Sequence, residues 1–209
     1  MKPNETDFLI NETLKTIKER RSIRSFAKDD VSDDMITLLL RAANEAPSAH
    51  NQQSWRFIVL RDRKKQGLAE LVAHGAQEFP KPAQALLRMS ARSIASAPVV
   101  IAVANTGDLI RHGTELFKVE KEMAHDFFRT MEIQSSAAAV ENLLLAATSL
   151  GLAAVWLGIM FLMKDEVLRY LGEPIGEFMA VVPVGYASRE AGGGPKKQPI
   201  EVKVRYLNE

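Results

Sequence analysis

The segment 133–150 constrains the fold of this chain more than any other stretch, because it predicts a helix with very little polar surface. Its apolar side chains recur at the 3.6-residue spacing of an α-helix, at Ile133, Ala137, Val140, Leu144, Ala147 and Leu150. Gly151 is the predicted C-terminal residue. Alanines and Leu143–Leu145 make the helix apolar nearly all round. Such a helix must be buried on most sides, either in a large core or against a partner chain.

The size and composition of the chain bear directly on that choice. A chain of 209 residues is enough for one ordinary domain. Hydrophobic residues make up 46% and charged residues 25%, as in a soluble globular protein. In a domain of this size, a second copy of the chain is a serious candidate for covering the apolar helix. The net charge of +1 disfavours broad electrostatic binding to nucleic acid, so any anion site must be local.

The chain contains no cysteine, which excludes disulfides, thiolate metal sites, iron–sulfur clusters and a cysteine nucleophile. His74, His112 and His125 show no metal-binding spacing. The first residues carry charges and no apolar run of signal-peptide length, and no stretch approaches the roughly 20 apolar residues of a membrane span. We therefore expect a cytoplasmic protein with neither a metal nor a membrane as partner.

Further helices are predicted from periodicity and from end signals. Leu9, Ile10, Leu14 and Ile17 predict an opening helix that ends in the basic cluster Lys18–Arg24. Ser32 is the predicted N-cap of a second helix, in which Asp33 and Asp34 suit the positive end of the helix dipole and which Pro47 stops. Two more helices are predicted at Lys64–His74 and Lys164–Leu171.

Strands are predicted between these helices. The run Pro98–Ala104 is continuously apolar, which is typical of a strand buried on both faces. The other predicted strands are Trp55–Arg61, Ala153–Leu157, Ala180–Ala187 and an alternating last strand, Ile200–Tyr206. Helices and strands alternate irregularly, and no repeat or linker interrupts them. The prediction is one α+β domain over residues 1–209, with 76–95 left unassigned.

A basic turn follows the opening helix. It contains Arg20, Arg21, Ser22 and Arg24. Arginine presents a planar fork of donors that binds phosphate, and serine adds a short hydroxyl donor. Taken alone, these residues fit a solvated basic surface turn better than a phosphate site, because basic clusters are common on protein surfaces.

A polar loop, residues 47–54, separates the second helix from the first strand. Ser48, Asn51 and Gln53 offer hydroxyl and amide groups, and an amide supplies both a donor and an acceptor. Such groups suit a heterocycle with alternating carbonyl and N–H edges. Turn chemistry and capping would use the same side chains without any ligand.

The order of these segments resembles the nitroreductase family of FMN-dependent enzymes. The resemblance rests on the RRSIR turn, the capped helix, the PSAHNQ loop before Trp55, the Leu/Ala-rich helix, and the VPVGY strand followed by a basic turn. It is specific in the first 60 residues, moderate in 133–187 and weak in 76–130. Ser54 departs from the proline that is usual before the tryptophan, and Ile159 departs from a second glycine or an acidic-glycine pair.

The resemblance implies a central, mainly antiparallel sheet flanked by helices in an intertwined homodimer that binds two FMN molecules between its subunits. Arg20, Arg21 and Ser22 would hold the FMN phosphate, and Arg24 would lie near the N1/O2 edge of the isoalloxazine. The flavin ring and ribityl chain would be contacted by Ser48, Asn51 and Gln53 of either subunit, and by the segment Trp156, Leu157 and Gly158. Lys196 and Lys197 are alternatives for closing the phosphate site.

The activity implied is NAD(P)H-dependent reduction of a nitroaromatic, a quinone or a related small oxidant, by ping-pong hydride transfer through FMN without a dedicated catalytic side chain. Three alternatives stay open at this point. One is a flavin-fragmenting or dehalogenating relative, with 76–130 as a variable lid and substrate region. Another is a low-turnover FMN-binding protein. A nucleic-acid-binding module is disfavoured by the near-neutral charge.

Overall fold

The computed structural model describes residues 11–117, 120–189, 192, 194 and 196–207. Its centre is a sheet of four antiparallel strands in the order β1-β2-β4-β3. These strands are β1 Trp55–Leu60, β2 Val99–Asn105, β3 Ala153–Ala154 and β4 Glu177–Gly185. The α+β class and the central antiparallel sheet predicted from the sequence are therefore confirmed.

Seven α-helices flank the sheet in the described part of the chain. They are α1 Glu12–Glu19, α2 Asp33–Asn44, α3 Asp62–Gly75, α4 Lys81–Ser96, α5 Asp108–Leu116, α6 Lys121–Ser149 and α7 Lys164–Leu171. Short 3-10 turns lie at Ala49–Asn51, Ala76–Glu78, Gly158–Met163 and Ile200–Val202. None of the described helices has both the length and the apolar run that crossing a membrane would require.

Strand β2 shows why the sheet is covered on both sides. All seven of its residues are buried, as its continuous apolar run predicts. Because successive side chains of a strand point to opposite faces, Val99, Ile101 and Val103 pack in the cluster that contains the α2 and α6 side chains. The alternate residues Val100 and Ala102 pack in the cluster built on α3, α4 and α7. The result is three layers, with helices on both faces of the sheet.

The predicted N-cap of α2 and the predicted bounds of α7 are confirmed. The Ser32 hydroxyl accepts a hydrogen bond from the Met35 N–H at 3.3 Å, and the acidic Asp33 and Asp34 occupy the first turn of α2. Helix α7 has the predicted bounds, Lys164–Leu171. Leu9 and Ile10 of the predicted opening helix lie outside the described residues.

Three predicted boundaries were wrong. Helix α6 begins at Lys121 rather than near residue 133, because its first turns pack against α5 and so gain tertiary support that periodicity does not show. The strand predicted at Ala153–Leu157 pairs only at Ala153–Ala154, after which the chain enters a 3-10 turn. The predicted strand at Ala180–Ala187 is shifted toward the N-terminus and ends at Gly185, although Ala187 still forms an isolated bridge.

The predicted last strand, Ile200–Tyr206, was also wrong. Residues 200–202 form a 3-10 turn, and 203–207 form no regular element. Alternating side chains produce a strand only where another strand edge is within reach, and this segment meets no strand of the described chain. Its apolar side chains stand exposed, with Tyr206 82% and Leu207 80% accessible.

Helix α6 is enclosed by its own chain on one side only. Val140, Leu143 and Ala147 are completely buried against the sheet and α2. The face that carries Glu141 and Leu145 is exposed or half-buried. The predicted need for extensive burial is thus met in part by the domain core, and the face that carries Glu141 and Leu145 is left uncovered.

The end of α6 generates a prediction about stability. Gly151 has φ +73°, and a Cβ added there would meet no atom within 4 Å. The cost of Gly151→Ala is therefore conformational rather than steric. We expect a loss of about 1–2 kcal/mol in the free energy of unfolding, measured by urea denaturation. Gly192→Ala is the control, because Gly192 has equally open space and no left-handed backbone, and its effect should stay within about 0.5 kcal/mol.

Candidate functional site

The basic turn is fixed to the sheet by backbone contacts. Ser22 forms a parallel bridge with Ala154, and the Ile23 N–H donates to the Ala154 carbonyl at 3.1 Å. Farther along, Phe26 forms an antiparallel bridge with Ala187. Because β3 leads directly into the segment 156–158, these contacts place the predicted phosphate turn beside the predicted flavin-ring segment.

The arginine side chains of this turn stay at the surface. One Arg21 guanidinium nitrogen donates to the carbonyls of Lys18 and Arg20, and an Arg24 nitrogen donates to the Ser22 carbonyl at 3.2 Å. Each guanidinium has five N–H donors, so both keep donors beyond these bonds. Arg20 lies 3.8 Å from the exposed carboxylate of Glu141 on α6. The turn is thus preorganised by its own backbone and presents positive charge to solvent.

The segment that follows β4 passes beside the basic turn at Gly194. A Cβ added to Gly194 would lie 2.5 Å from the Arg21 Nε, so the backbone at Gly194 lies directly against that guanidinium. Lys196 and Lys197 follow at once and are exposed. Lys196 and Lys197 thus follow two and three residues after a contact with the basic turn, and within the described residues no contact of either lysine distinguishes them.

The segment 156–158 runs along β4 as an extension of β3. The Leu157 N–H donates to the Val181 carbonyl at 2.9 Å, and the Trp156 indole N–H donates to the Met179 carbonyl at 3.3 Å. Gly158 begins the 3-10 turn, where the backbone N–H has no acceptor within the turn. Gly158 is exposed, and a Cβ added there would meet no atom within 4 Å. This open backbone edge suits close approach by a flat ligand.

The polar loop carries strain. His50, Asn51 and Gln53 have φ of 54°, 52° and 52°, a left-handed conformation that costs non-glycine residues free energy. It is held by short-range bonds: the Gln53 N–H donates to the Ser48 hydroxyl at 3.1 Å, and the Gln53 amide nitrogen donates to the Asn51 side-chain oxygen at 2.9 Å. Asn51 and Gln53 are exposed at its tip. Strain of this kind is often retained at ligand sites.

The basic turn and the polar loop lie at opposite corners of the sheet within one chain. The turn contacts Ala154 on the edge strand β3, opposite Val184 of β4. The loop precedes Trp55 on the other edge strand, β1, at the end where Glu177 begins β4. Seven residues separate Val184 from Glu177, or roughly 24 Å at about 3.4 Å per residue. Among the described residues, no hydrogen bond or ion pair joins the two groups.

A buried polar cluster lies behind the loop and was missed by the sequence reasoning. Glu132 of α6 is fully buried, and one of its carboxyl oxygens accepts from the Leu109 N–H at 2.8 Å in the first turn of α5. Ser136 donates to the Asn105 side chain. The only sequence signal was that Glu132, Ser135 and Ser136 share one face of the helix, next to its apolar C-terminal half.

The carboxyl group of Glu132 has a pKa above its ordinary value. Burial is the main cause, because it penalises the charged form. Hydrogen bonds from the Leu109 and Ile110 N–H groups oppose that rise. No cluster of three or more histidine and carboxylate side chains that could hold a metal ion occurs in the described ranges.

Comparison with known proteins identifies close relatives. The sequence profile of the nitroreductase family matches residues 17–186. A protein of Archaeoglobus fulgidus, provisionally named NADH dehydrogenase/NAD(P)H nitroreductase, is 34% identical over 187 residues, which cover 87% of this chain and 88% of the relative.

Solved structures agree with this assignment. One is a nitroreductase-like protein of Desulfovibrio desulfuricans in complex with FMN, which is 28% identical with a TM-score of 0.71, over 95% of this chain and 98% of the other. Another is a nitroreductase of Desulfitobacterium hafniense with bound FMN, which is 25% identical with a TM-score of 0.70, over 95% of this chain and all of the other.

The raised pKa of Glu132 generates a prediction about pH. A carboxyl group whose pKa is raised by folding stabilises the protein most below the pKa of an exposed glutamate, about 4.3, and loses that contribution as the pH rises through the folded-state pKa. Glu132→Gln has no such titration. We expect the unfolding free energy of the wild type, relative to this variant, to fall as the pH increases from about 4 to 8. Urea denaturation of both proteins across this range checks it, and a constant or rising difference would contradict it.

Proposed function

The chain belongs to the nitroreductase family, and we propose that it is an FMN-dependent oxidoreductase that uses NAD(P)H to reduce a small nitroaromatic, quinone or related oxidant. The observation that carries the proposal is the junction of the RRSIR turn with the open edge at Gly158, through Ser22 and Ala154. The FMN-bound relatives with the same fold support the choice of cofactor.

The donors present fit the chemistry of FMN. A phosphate needs positive charge and several N–H or O–H donors, and Arg20, Arg21 and Ser22 offer these on a turn that the sheet holds in place. Lys196 or Lys197 would add a further cation. A flat heterocycle needs an unobstructed surface, and the backbone at Gly158 has open space on its side-chain side. When bound, FMN would supply hydride transfer between the nicotinamide and the oxidant.

We infer that two copies of the chain form each site. The loop residues Ser48, Asn51 and Gln53 are about 24 Å along the sheet from the basic turn, and the two groups lie on opposite edge strands. A second copy could bring its own loop to the turn. Two surfaces favour such a homodimer, namely the uncovered face of α6 and the exposed apolar side chains of residues 200–207. Each leaves apolar surface that a partner could bury.

In this proposal the side chains of the protein position the flavin and adjust its electrostatic surroundings, and they transfer no protons. Arg24 would place a positive charge beside the pyrimidine edge of the ring, which favours an added negative charge there. Asn51 and Gln53 would hold ring polar atoms by amide donors and acceptors. Trp156 is anchored through its indole N–H and would support the wall formed by Leu157 and Gly158. No catalytic acid or base is assigned.

The first experiment is purification without added flavin, followed by the visible spectrum and by sedimentation. We expect flavin absorption near 370 and 450 nm (approximately, for oxidised FMN), about one FMN per chain, and the mass of a dimer. Stopped-flow mixing with NADH or NADPH should bleach this absorption with a rate that saturates in nicotinamide. A protein that binds no FMN would overturn the proposal, and slow, non-saturating bleaching would indicate a flavin carrier rather than an enzyme.

Gly158 supplies a sharper test of the ring position. Gly158→Val places its side chain in space that is open in the folded chain, so the unfolding free energy should change by less than about 1 kcal/mol. The same side chain would obstruct a flavin ring lying on this backbone. We expect FMN affinity, measured by flavin fluorescence titration, to fall at least tenfold, which is about 1.4 kcal/mol. Unchanged affinity would contradict the assignment of this edge.

A further inference from the structure

Three polar side chains on one face of α6 connect three separate segments. Glu132, Ser135 and Ser136 share this face because residues three and four apart are neighbours on a helix. The Glu132 carboxyl accepts from the start of α5, the Ser135 hydroxyl accepts from the Ala49 N–H at 3.1 Å, and the Ser136 hydroxyl donates to Asn105 at the end of β2. All three side chains are buried.

The cluster also contains polar atoms that lack partners. Within the described parts of the chain, no hydrogen-bond partner is found for the second carboxyl oxygen of Glu132, the Ser54 hydroxyl or the Asn105 amide nitrogen. The backbone of Ser54 is tied to the segment that leads into α5, because the Ser54 carbonyl accepts from the Thr106 N–H at 3.1 Å. A buried polar group without a partner is costly, so such a group needs a compensating purpose.

The neighbouring loop depends on outside support. Three of its residues hold left-handed backbone angles, and conformations of this kind persist only where the surroundings impose them. Support reaches the loop at both ends. Ser135 holds Ala49 near its start, and Ser54, which follows the strained Gln53, lies in the cluster at its end.

We propose that Glu132 is a positioning residue for the polar loop, acting with Ser135 and Ser54 to couple the loop geometry that contacts the flavin ring to the docking of α5. This inference rests on the proposed function for the identity of the ligand. The structural part of the inference, the coupling of the polar loop to α5, does not depend on the identity of the ligand.

The main variant is Glu132→Met, which keeps a long side chain but removes the acceptor. Glu132→Gln is the conservative rescue, because its amide oxygen can still accept from the Leu109 N–H. Ser135→Ala removes the contact with Ala49, together with a bond within α6 that the Ser135 hydroxyl donates to the Met131 carbonyl at 2.6 Å. Ser149→Ala is the matched control, since Ser149 lies on the same helix and is exposed.

Amide hydrogen exchange of the unliganded protein measures the coupling. We expect peptides covering 48–54 and 107–111 both to exchange at least tenfold faster in Glu132→Met, and to return toward the wild-type rate in Glu132→Gln. In Ser135→Ala only the 48–54 peptide should accelerate. Peptides from β2 should stay protected in every variant, which separates local loosening from unfolding.

Titration with FMN and with riboflavin measures the consequence for binding. Because the loop is assigned to the ring and ribityl chain, Glu132→Met should weaken both ligands by a similar factor of ten or more. Arg21→Ala, on the phosphate side, should weaken FMN but leave riboflavin within about twofold. If Glu132→Met does not fold, Glu132→Asp takes its place in the same two measurements, because its shorter side chain draws the acceptor back from the Leu109 N–H.

The outcomes are distinguishable. A wild type that binds neither flavin removes the proposed function, while the exchange experiment still tests the coupling. If the wild type binds flavin but Glu132→Met leaves both the loop exchange and the flavin affinity unchanged, the positioning role is overturned. Where Glu132→Met does not fold, the same result in Glu132→Asp overturns it. Faster exchange in α5 without any change in the loop would also overturn it, because the two segments would then be independent.

Discussion

Strand β4 is hydrogen-bonded to β2 along one edge and to β3 along the other. This pairing determines where the residues that are proposed to contact FMN lie. Its C-terminal half pairs with β3, which carries the basic turn through the bridge between Ser22 and Ala154. The Val181 carbonyl receives the Leu157 N–H and so sets the path toward Gly158. Its N-terminal end lies opposite Asn105, beside the buried cluster and the polar loop. One buried strand therefore fixes the positions of the basic turn and of the polar loop and also keeps them apart.

Helix α6 is the second organising element, and its polar face has a different function from its apolar one. The apolar face packs on the sheet and supplies the hydrophobic burial that stabilises the domain. The face with Glu132, Ser135 and Ser136 instead forms directional bonds to α5, the loop and β2. Hydrophobic contacts tolerate small displacements, whereas these bonds specify position. A loop with strained backbone angles is more accurately held by the second kind of contact.

Much of the fold was predictable from local signals, and the errors share one cause. The apolar run of β2, the Ser32 cap and the bounds of α7 are encoded within a few residues of sequence. The start of α6 at Lys121 and the irregular path of residues 203–207 depend instead on which segments meet in space. The same applies to the site. The RRSIR turn and the polar loop could be recognised by residue type, but their separation in one chain required the strand register. Glu132 was missed because its partners are backbone N–H groups, which no side-chain pattern reveals.

The central claim is that one complete site needs the basic turn of one copy and the polar loop of another, and subunit complementation tests it directly. A chain with Arg21→Ala and Gly158→Val is co-expressed with a differently tagged chain with Asn51→Ala and Gln53→Ala, and the heterodimer is isolated by both tags. If sites are shared between copies, one site carries all four substitutions and the other carries none. The account then predicts about one FMN per heterodimer, and almost none in either homodimer. A heterodimer that binds no FMN would contradict it, because each site would then lie within a single chain and carry a lesion.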